Sequence, residues 1–248
     1  IIPRIEGAVG IVNGSTRDIA LISRVNKPVC FKVIGFSTNE LGQEYAILSR
    51  RLVQEECLEN YISKLTSGDI IDARVTHLEQ FGCFVDIGCG IPSLIPIDAI
   101  SVSRISHPAD RFSVNQDIKT IVKDVCGNRV WLSHKELLGT WEENASLFTA
   151  GETVAGVVRS VENYGIFIEL TPNLAGLSEF KEGVTVGQNA SVYIKALIPE
   201  KMKVKLVIVD VFNAEYPKTP LEYFIHDDHI DYWKYTTDIS NKIIETKF

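Results

Sequence analysis

Apolar and polar residues alternate over short stretches along most of this chain. Met202, Val204 and Leu206 alternate with Lys201, Lys203 and Lys205, which puts one set on each face of an extended segment. Such stretches are rich in β-branched residues. Turn signals such as Asn13-Gly14 and Gly88-Cys89-Gly90 separate them, a pattern that predicts short strands. Two stretches break the period of two. From Ser49-Arg50-Arg51 to Leu65, the residues Leu52, Cys57, Leu58, Tyr61, Ile62 and Leu65 follow helical spacing. From Ser133-His134-Lys135 to Phe148, so do Leu137, Leu138, Trp141, Ala145 and Phe148. Ser49 and Ser133 are plausible N-caps of the two helices.

The strand pattern repeats at an offset of 83 residues. Gly68-Asp69-Ile70-Ile71 answers to Gly151-Glu152-Thr153-Val154, and Val75, Glu79 and Leu94 to Val158, Glu162 and Leu177. Phe81-Gly82-Cys83-Phe84-Val85-Asp86-Ile87 answers to Tyr164-Gly165-Ile166-Phe167-Ile168-Glu169-Leu170. The register runs without a gap from Gly68 to Leu94, and later segments match too: Arg129-Val130-Trp131-Leu132 parallels Lys203-Val204-Lys205-Leu206. Each copy predicts about five strands, enough for a small closed barrel. An earlier copy is partial. Ile1-Ile2-Pro3 resembles Leu94-Ile95-Pro96, Val25 to Val33 resembles a fourth strand that starts near Pro28, and Ala46 to Arg50 resembles a fifth.

The expected fold is therefore all-β with connecting helices: tandem five-stranded barrels, the first one partial. The expected units are a partial barrel over 1–49, a linker helix over 50–66, a barrel over 67–135 and a linker helix over 136–149. A barrel over 150–212 and an aromatic-rich C-terminal extension over 213–248 follow. The extension holds Tyr223, Phe224, Tyr232, Trp233 and Tyr235 and is expected to pack on the third barrel.

Charge narrows the function classes. The 248 residues carry a net charge of −7, which excludes a strongly basic coat protein but leaves room for a local basic patch. Residues 68–150 hold 7 basic and 11 acidic side chains, so acidity concentrates in the second barrel and in the tail. No apolar run reaches the ~20 residues of a membrane span. The chain opens on Ile1-Ile2-Pro3 with neither initiator Met nor signal-like region, and reads as a piece of a longer cytoplasmic protein. Its five cysteines form no C-x-x-C pair and read as buried reduced thiols, not a metal site. His226-Asp227-Asp228-His229 reads as a solvated turn, since its four side chains cannot all point at one ion. There is no nucleophile elbow, zinc-protease motif or phosphate-binding loop.

The aromatic-Gly-x-Phe-Val/Ile-acid segments at Phe81 and Tyr164, with the closing Arg129-Val130-Trp131-Leu132-Ser133, resemble the S1 RNA-binding domain, a five-stranded form of the OB-fold. Tandem copies joined by short helices resemble the bacterial ribosomal protein S1 family, in particular its acidic clostridial-type members. The resemblance implies RNA-binding residues: the aromatics Phe81, Phe84, Tyr164 and Phe167 for base stacking, and Arg129, Lys135, Lys203 and Lys205 for phosphates. It implies a non-catalytic protein with no cofactor, metal or small-molecule substrate. Its partners would be single-stranded RNA, messenger RNA above all, and the small ribosomal subunit. Two departures stand out. Pro96 and the Gly176-Leu177-Ser178-Glu179 segment replace the family's Gly-Leu-x-His, and Asp124 is only a near match to its last acidic residue. Two alternatives stay open: an RNA-tethering part of a larger ribonuclease or other enzyme, and a ribosome- or protein-docking module with degenerate RNA sites.

Overall fold

The computed structural model describes residues 1–3, 5–7, 28–127, 129–213 and 220–248. Among these residues the strand pattern folds into two closed five-stranded barrels and two small two-stranded sheets. The second barrel is built from β3 (Ile70–Glu79), β4 (Gly82–Asp86), β5 (Pro92–Pro96), β6 (Asp117–Cys126) and β7 (Arg129–Ser133). The third is built from β8 (Thr153–Glu162), β9 (Gly165–Thr171), β10 (Leu174–Ser178), β11 (Asn189–Ile198) and β12 (Lys203–Phe212). In each, the first strand pairs antiparallel with the second and fourth, and the third closes the barrel by parallel pairing with the fifth. This is the five-stranded OB arrangement.

Alternation places the cores. Ile71, Ala73 and Val75 of β3 point inward with Cys83, Val85, Ile95, Ile118, Val122, Val130 and Leu132, around a fully buried Phe112. In the third barrel Val158, Ile166, Ile168, Ala190, Val192, Ile194, Val204, Leu206 and Ile208 do the same. Each fully buried Val, Leu, Ile or Phe side chain contributes roughly 1.5–3 kcal/mol of transfer free energy. The motif glycines are needed where β4 meets β5 and β9 meets β10. A Cβ on Gly82 would stand 2.5 Å from the Ile95 carbonyl oxygen, and one on Gly165 2.5 Å from that of Ser178. Gly82→Ala is therefore expected to cost about 1–3 kcal/mol through overpacking, read as a lower urea midpoint with an unchanged slope.

The first unit has β1 (Lys32–Thr38) paired antiparallel with β2 (Glu44–Ser49). Ile1 lies beside β2, its carbonyl accepting the Leu48 N–H at 2.8 Å, much as β5 lies beside β7. Residues 25–27 of the expected fourth strand lie outside the described residues. Pro28 stands four residues ahead of β1, not at its start.

The connectors depart from expectation. The first is helix α1 (Arg51–Asn60) followed by a single 3-10 turn, Ile62–Lys64. The Ser49 hydroxyl accepts the Leu52 N–H at 3.1 Å as expected of a cap, although Arg50 is the boundary residue. The second is not one helix over 136–149. A 3-10 segment, Lys135–Leu138, stops at Gly139, whose φ of +81° no helix accommodates. Helix α2 (Trp141–Ala145) then starts from a capping box in which Thr140 and Glu143 satisfy each other's backbone N–H groups. Ser133 caps nothing; its hydroxyl donates to Glu136 at 2.5 Å.

The tail reaches further than the third barrel. Tyr223 packs on the second barrel, where its hydroxyl accepts the Lys119 N–H at 3.1 Å, and Ile70 donates to the Asp228 carbonyl at 2.8 Å. Two short strands follow, β13 (Tyr232–Lys234) and β14 (Glu245–Lys247), and they bury Trp233 and Tyr235 against the third-barrel core. Asn173, fully buried, ties these parts together. Its amide accepts the Val102 N–H at 2.9 Å and donates to the Lys135 and Gly139 carbonyls at 2.8 Å, while the Tyr235 hydroxyl donates to its carbonyl at 2.6 Å.

Candidate nucleic-acid interface

Strand register carries one row of outward side chains around each barrel. In the second barrel the row is His77, Phe84, Leu94, Trp131 and Asp124. In the third it is Ser160, Phe167, Leu177, Lys205 and Ala196. Phe81 stands over Phe84 edge-to-face, with ring centroids 5.9 Å apart and planes at 89°. Tyr164 stands over Phe167 in the same way, at 6.1 Å and 85°. Phe81 is 57% and Tyr164 70% exposed, whereas Phe84 and Phe167 are half-buried beneath them. Each pair thus offers one free ring on a packed support.

The two rings of each pair share a face, and no bulge lies at the motif glycine. The register slips on the partner strands, between Val75 and His77 in β3 and between Val158 and Ser160 in β8. Phe81 and Tyr164 themselves lie in the turns just before Gly82 and Gly165, which frees them from the strict alternation of the strand that carries Phe84 or Phe167.

The basic candidates divide. Arg129 and Lys203 occupy equivalent positions at the start of the closing strand, two residues before Trp131 and Lys205 and so on the same outward face. All four are exposed. Lys135 is elsewhere: it opens the 3-10 segment between the barrels, half-buried, with its carbonyl held by Asn173. Register thus joins Phe84 to Trp131 and Phe167 to Lys205 across one strand; Arg129 and Lys203 share those outward faces two residues away along the closing strand, and Lys135 lies outside both groups.

Trp131 is an additional aromatic on this face, 41% exposed beside Leu94. Its signal was the Arg129-Val130-Trp131-Leu132 alternation, with exposed and buried residues in turn. The other tryptophans, Trp141 and Trp233, are 3% and 4% exposed. Any quenching of tryptophan emission by added RNA is thus expected to come from Trp131, and Trp131→Phe should abolish it.

A groove of about 660 Å³ lies off these rows, lined in part by Asp72, Arg74, Asp117, Lys119 and Tyr223. Arg74 is paired to Asp117 by two hydrogen bonds of 2.6 and 3.0 Å, and Lys119 lies 3.6 Å from Asp72, so its cations are already neutralised. The histidines have local partners as well. His77 meets Glu79 at 2.7 Å, and His229 sits between Asp69 at 2.7 Å and Asp231 at 3.2 Å. Those two carboxylates raise the His229 pKa. Among the described residues no His, Cys, Asp and Glu group has the arrangement to hold a metal ion.

Residues 64–135 match the family model described as the S1 RNA binding domain. The second barrel is an S1 domain. Small ribosomal subunit protein bS1 of Staphylococcus aureus (strain COL) is 33% identical over 160 residues, 61% of this chain and 41% of that protein. Its counterpart from Rickettsia conorii is 28% identical over 227 residues, 82% of this chain and 39% of that protein. The chain spans about two fifths of the length of these bS1 relatives. The solution structure of GSP13 from Bacillus subtilis is similar over 28% of this chain and 55% of that one, with 22% identity and a TM-score of 0.27. The S1 match ends two residues beyond β7, so it contains Phe81, Phe84, Arg129 and Trp131. No helix among the described residues is long and apolar enough to cross a membrane.

Proposed function

We propose that the chain binds single-stranded RNA without catalysis, in the cytoplasm, as part of translation at the small ribosomal subunit, with messenger RNA as the ligand. One observation carries the reading: an exposed ring on an edge-to-face support at equivalent positions of two barrels, with an exposed cation opening the closing strand of each. Bases stack on Phe81 and Tyr164, and Trp131 extends the first platform. Arg129, Lys203 and Lys205 face the phosphates. The bS1 relatives support the place in translation, and the S1 match supports RNA as the ligand. Stacking contributes ~1–3 kcal/mol per base, and each phosphate contact adds a slope of roughly −0.7 to the logarithmic salt dependence on single strands.

The test is fluorescence anisotropy of a labelled, unstructured RNA at two salt concentrations. Binding is expected to weaken as salt rises. A Phe81→Ala, Tyr164→Ala variant with unchanged circular dichroism should bind roughly tenfold more weakly or worse. Absence of binding by the folded wild type at low salt overturns the reading. In that case the excess of 11 acidic over 7 basic side chains in residues 68–150 favours docking to a protein partner. Reversing acidic charges on the second barrel would then abolish ribosome attachment, whereas an RNA-binding barrel should bind RNA more tightly after the same change.

A further inference from the structure

The two outward rows agree at the aromatic pair and differ at their far end. Asp124 of β6 stands opposite Trp131 of β7, whereas the third barrel sets Ala196 of β11 opposite Lys205 of β12. The register slips just before each pair, between Val122 and Asp124 and between Ile194 and Ala196, so the two pairs are equivalent in the fold. Val122 and Val125 turn inward with Leu132 and Val130. Asp124 and Trp131 are left outward and exposed. Next along the same face, Cys126 stands opposite Arg129. Expected to be buried like the other cysteines, Cys126 is exposed here, as Cys30 is in the first unit.

Other acids near the barrels are taken: Asp117 by Arg74, and Asp110 and Glu169 by Arg159. Among the described residues no ion pair or hydrogen bond engages the Asp124 carboxylate. An unpaired carboxylate repels a phosphate and accepts hydrogen bonds only, so on a nucleic-acid face it suits the donors of a base. Residues directly opposite on one face carry their Cβ atoms ~4.5–5.5 Å apart. A base stacked on the Trp131 ring therefore presents an edge to Asp124. Guanine has two adjacent donors on that edge, N1–H and N2–H, which match the two oxygens of one carboxylate. Adenine and cytosine have one donor beside an acceptor, and uracil has one donor between two acceptors. Each of these three sets a lone pair against the negative charge.

We propose, on the reading of both rows as RNA-binding faces, that Asp124 and Trp131 make the second barrel selective for guanine in single-stranded RNA. The guanine ring stacks on Trp131, and its N1–H and N2–H groups donate to the two Asp124 oxygens. Arg129, two residues before Trp131 on β7, takes a neighbouring phosphate. The third barrel has neither element of this selection. Ala196 offers no acceptor, and Lys205 replaces the ring with a cation that binds phosphate whatever the base.

An oligouridine, and the same strand with a single guanosine, adenosine or inosine at its centre, are titrated into the full chain at low salt. The midpoint of Trp131 quenching reports the second barrel, and the anisotropy of a labelled end reports total binding. The guanosine strand is expected to bind about tenfold more tightly than the adenosine strand, a comparison between two purines that stack alike. Inosine keeps N1–H and lacks the N2 donor, so its strand should fall between them. Asp124→Asn, with unchanged circular dichroism, should bring the guanosine and adenosine strands level. It should also tighten oligouridine binding, because a negative charge leaves the face. Tyr164→Ala, in the third barrel, should weaken all strands and keep the guanosine preference. Equal midpoints for guanosine and adenosine in a chain that binds both overturn the proposal and leave RNA binding standing. So does a preference that survives Asp124→Asn or vanishes with Tyr164→Ala. Failure of the folded chain to bind any strand overturns both the preference and the RNA reading beneath it.

Discussion

Replacing Glu169 by alanine is expected to lower the unfolding free energy by about 3–5 kcal/mol, the usual cost of breaking a buried ion pair from one side. Glu169 is 6% exposed and ends the aromatic-Gly-x-Phe-Ile-acid segment of the third barrel. Both its oxygens are used twice. Arg111, from the second-barrel side, donates to them at 2.9 Å each, and Arg159 of β8 at 3.0 and 3.1 Å. Burial alone would raise the Glu169 pKa, but the hydrogen bonds and charges of the two guanidiniums outweigh it and hold the carboxyl below its ordinary value. Without the carboxylate, two cations face each other with only Asp110, 3.5 Å from Arg159, between them and bare repulsion. Urea unfolding followed by circular dichroism measures the loss. Glu169→Gln, which keeps an acceptor, should fall between alanine and wild type, and a loss under about 1 kcal/mol for alanine would show that the pair only breaks even.

A second large effect is expected in mild acid. His134 is fully buried between Phe112 and Tyr223, with ring centroids 5.0 and 5.7 Å away. Its Nδ1 lies 2.9 Å from the Ile100 carbonyl and donates to it; its Nε2 faces the Tyr223 hydroxyl at 3.4 Å and accepts from it. Burial lowers its pKa from 6.5 to about 4, the bond to Ile100 opposes this, and the Arg111 charge adds to it. The unfolded chain takes up the proton near pH 6.5, the folded one only near pH 4. Stability therefore falls as pH drops through this window, by about 3 kcal/mol in total, and this group adds no further loss below pH 4. His134→Gln should flatten the urea midpoint between pH 6.5 and 4 if it folds. Histidine proton exchange followed by NMR gives the same test without substitution, because His134 should stay neutral at pH 5. Two other groups act at the ends of this window. Glu169, with its lowered pKa, gives up stability only below 4.5. His229, with its raised pKa, supports the fold below 6.5 and loses that support as pH rises through its folded value.

What could be read from the chain was what local spacing encodes. The repeat placed ten barrel strands, the 83-residue offset covering the first three of each barrel and later segments matching at shorter offsets, because each copy repeats its own alternation and turn residues. Phe81 and Tyr164 stood out because a ring before a motif glycine has an obvious use on the surface. The single helix over 136–149 failed at Gly139, where apolar spacing outvoted a backbone conformation that helices do not adopt. Thr140-x-x-Glu143 was a readable start signal that periodicity obscured. Trp131 fell at a variable position of the family pattern, and the same alternation that marked Lys205 would have marked it. Contacts between distant residues left no local trace. Arg111 and Glu169 are 58 residues apart, His134 and Tyr223 are 89 apart, and nothing near either member announces its partner.

Asn173 and the Arg111–Glu169–Arg159 cluster turn two barrels into something like a ruler. Beads on a slack string let a ligand choose its own span between grips, and affinity then climbs smoothly as the ligand lengthens. Here a single residue holds the loop after β5 and the Lys135 and Gly139 carbonyls through its side-chain amide, and the tail through its backbone carbonyl to Tyr235, so the two aromatic rows keep one separation. A strand gripped by both rows must first be long enough to bridge that fixed gap. Affinity plotted against oligonucleotide length would rise as a step, and the length at which it steps would be a property of the fold.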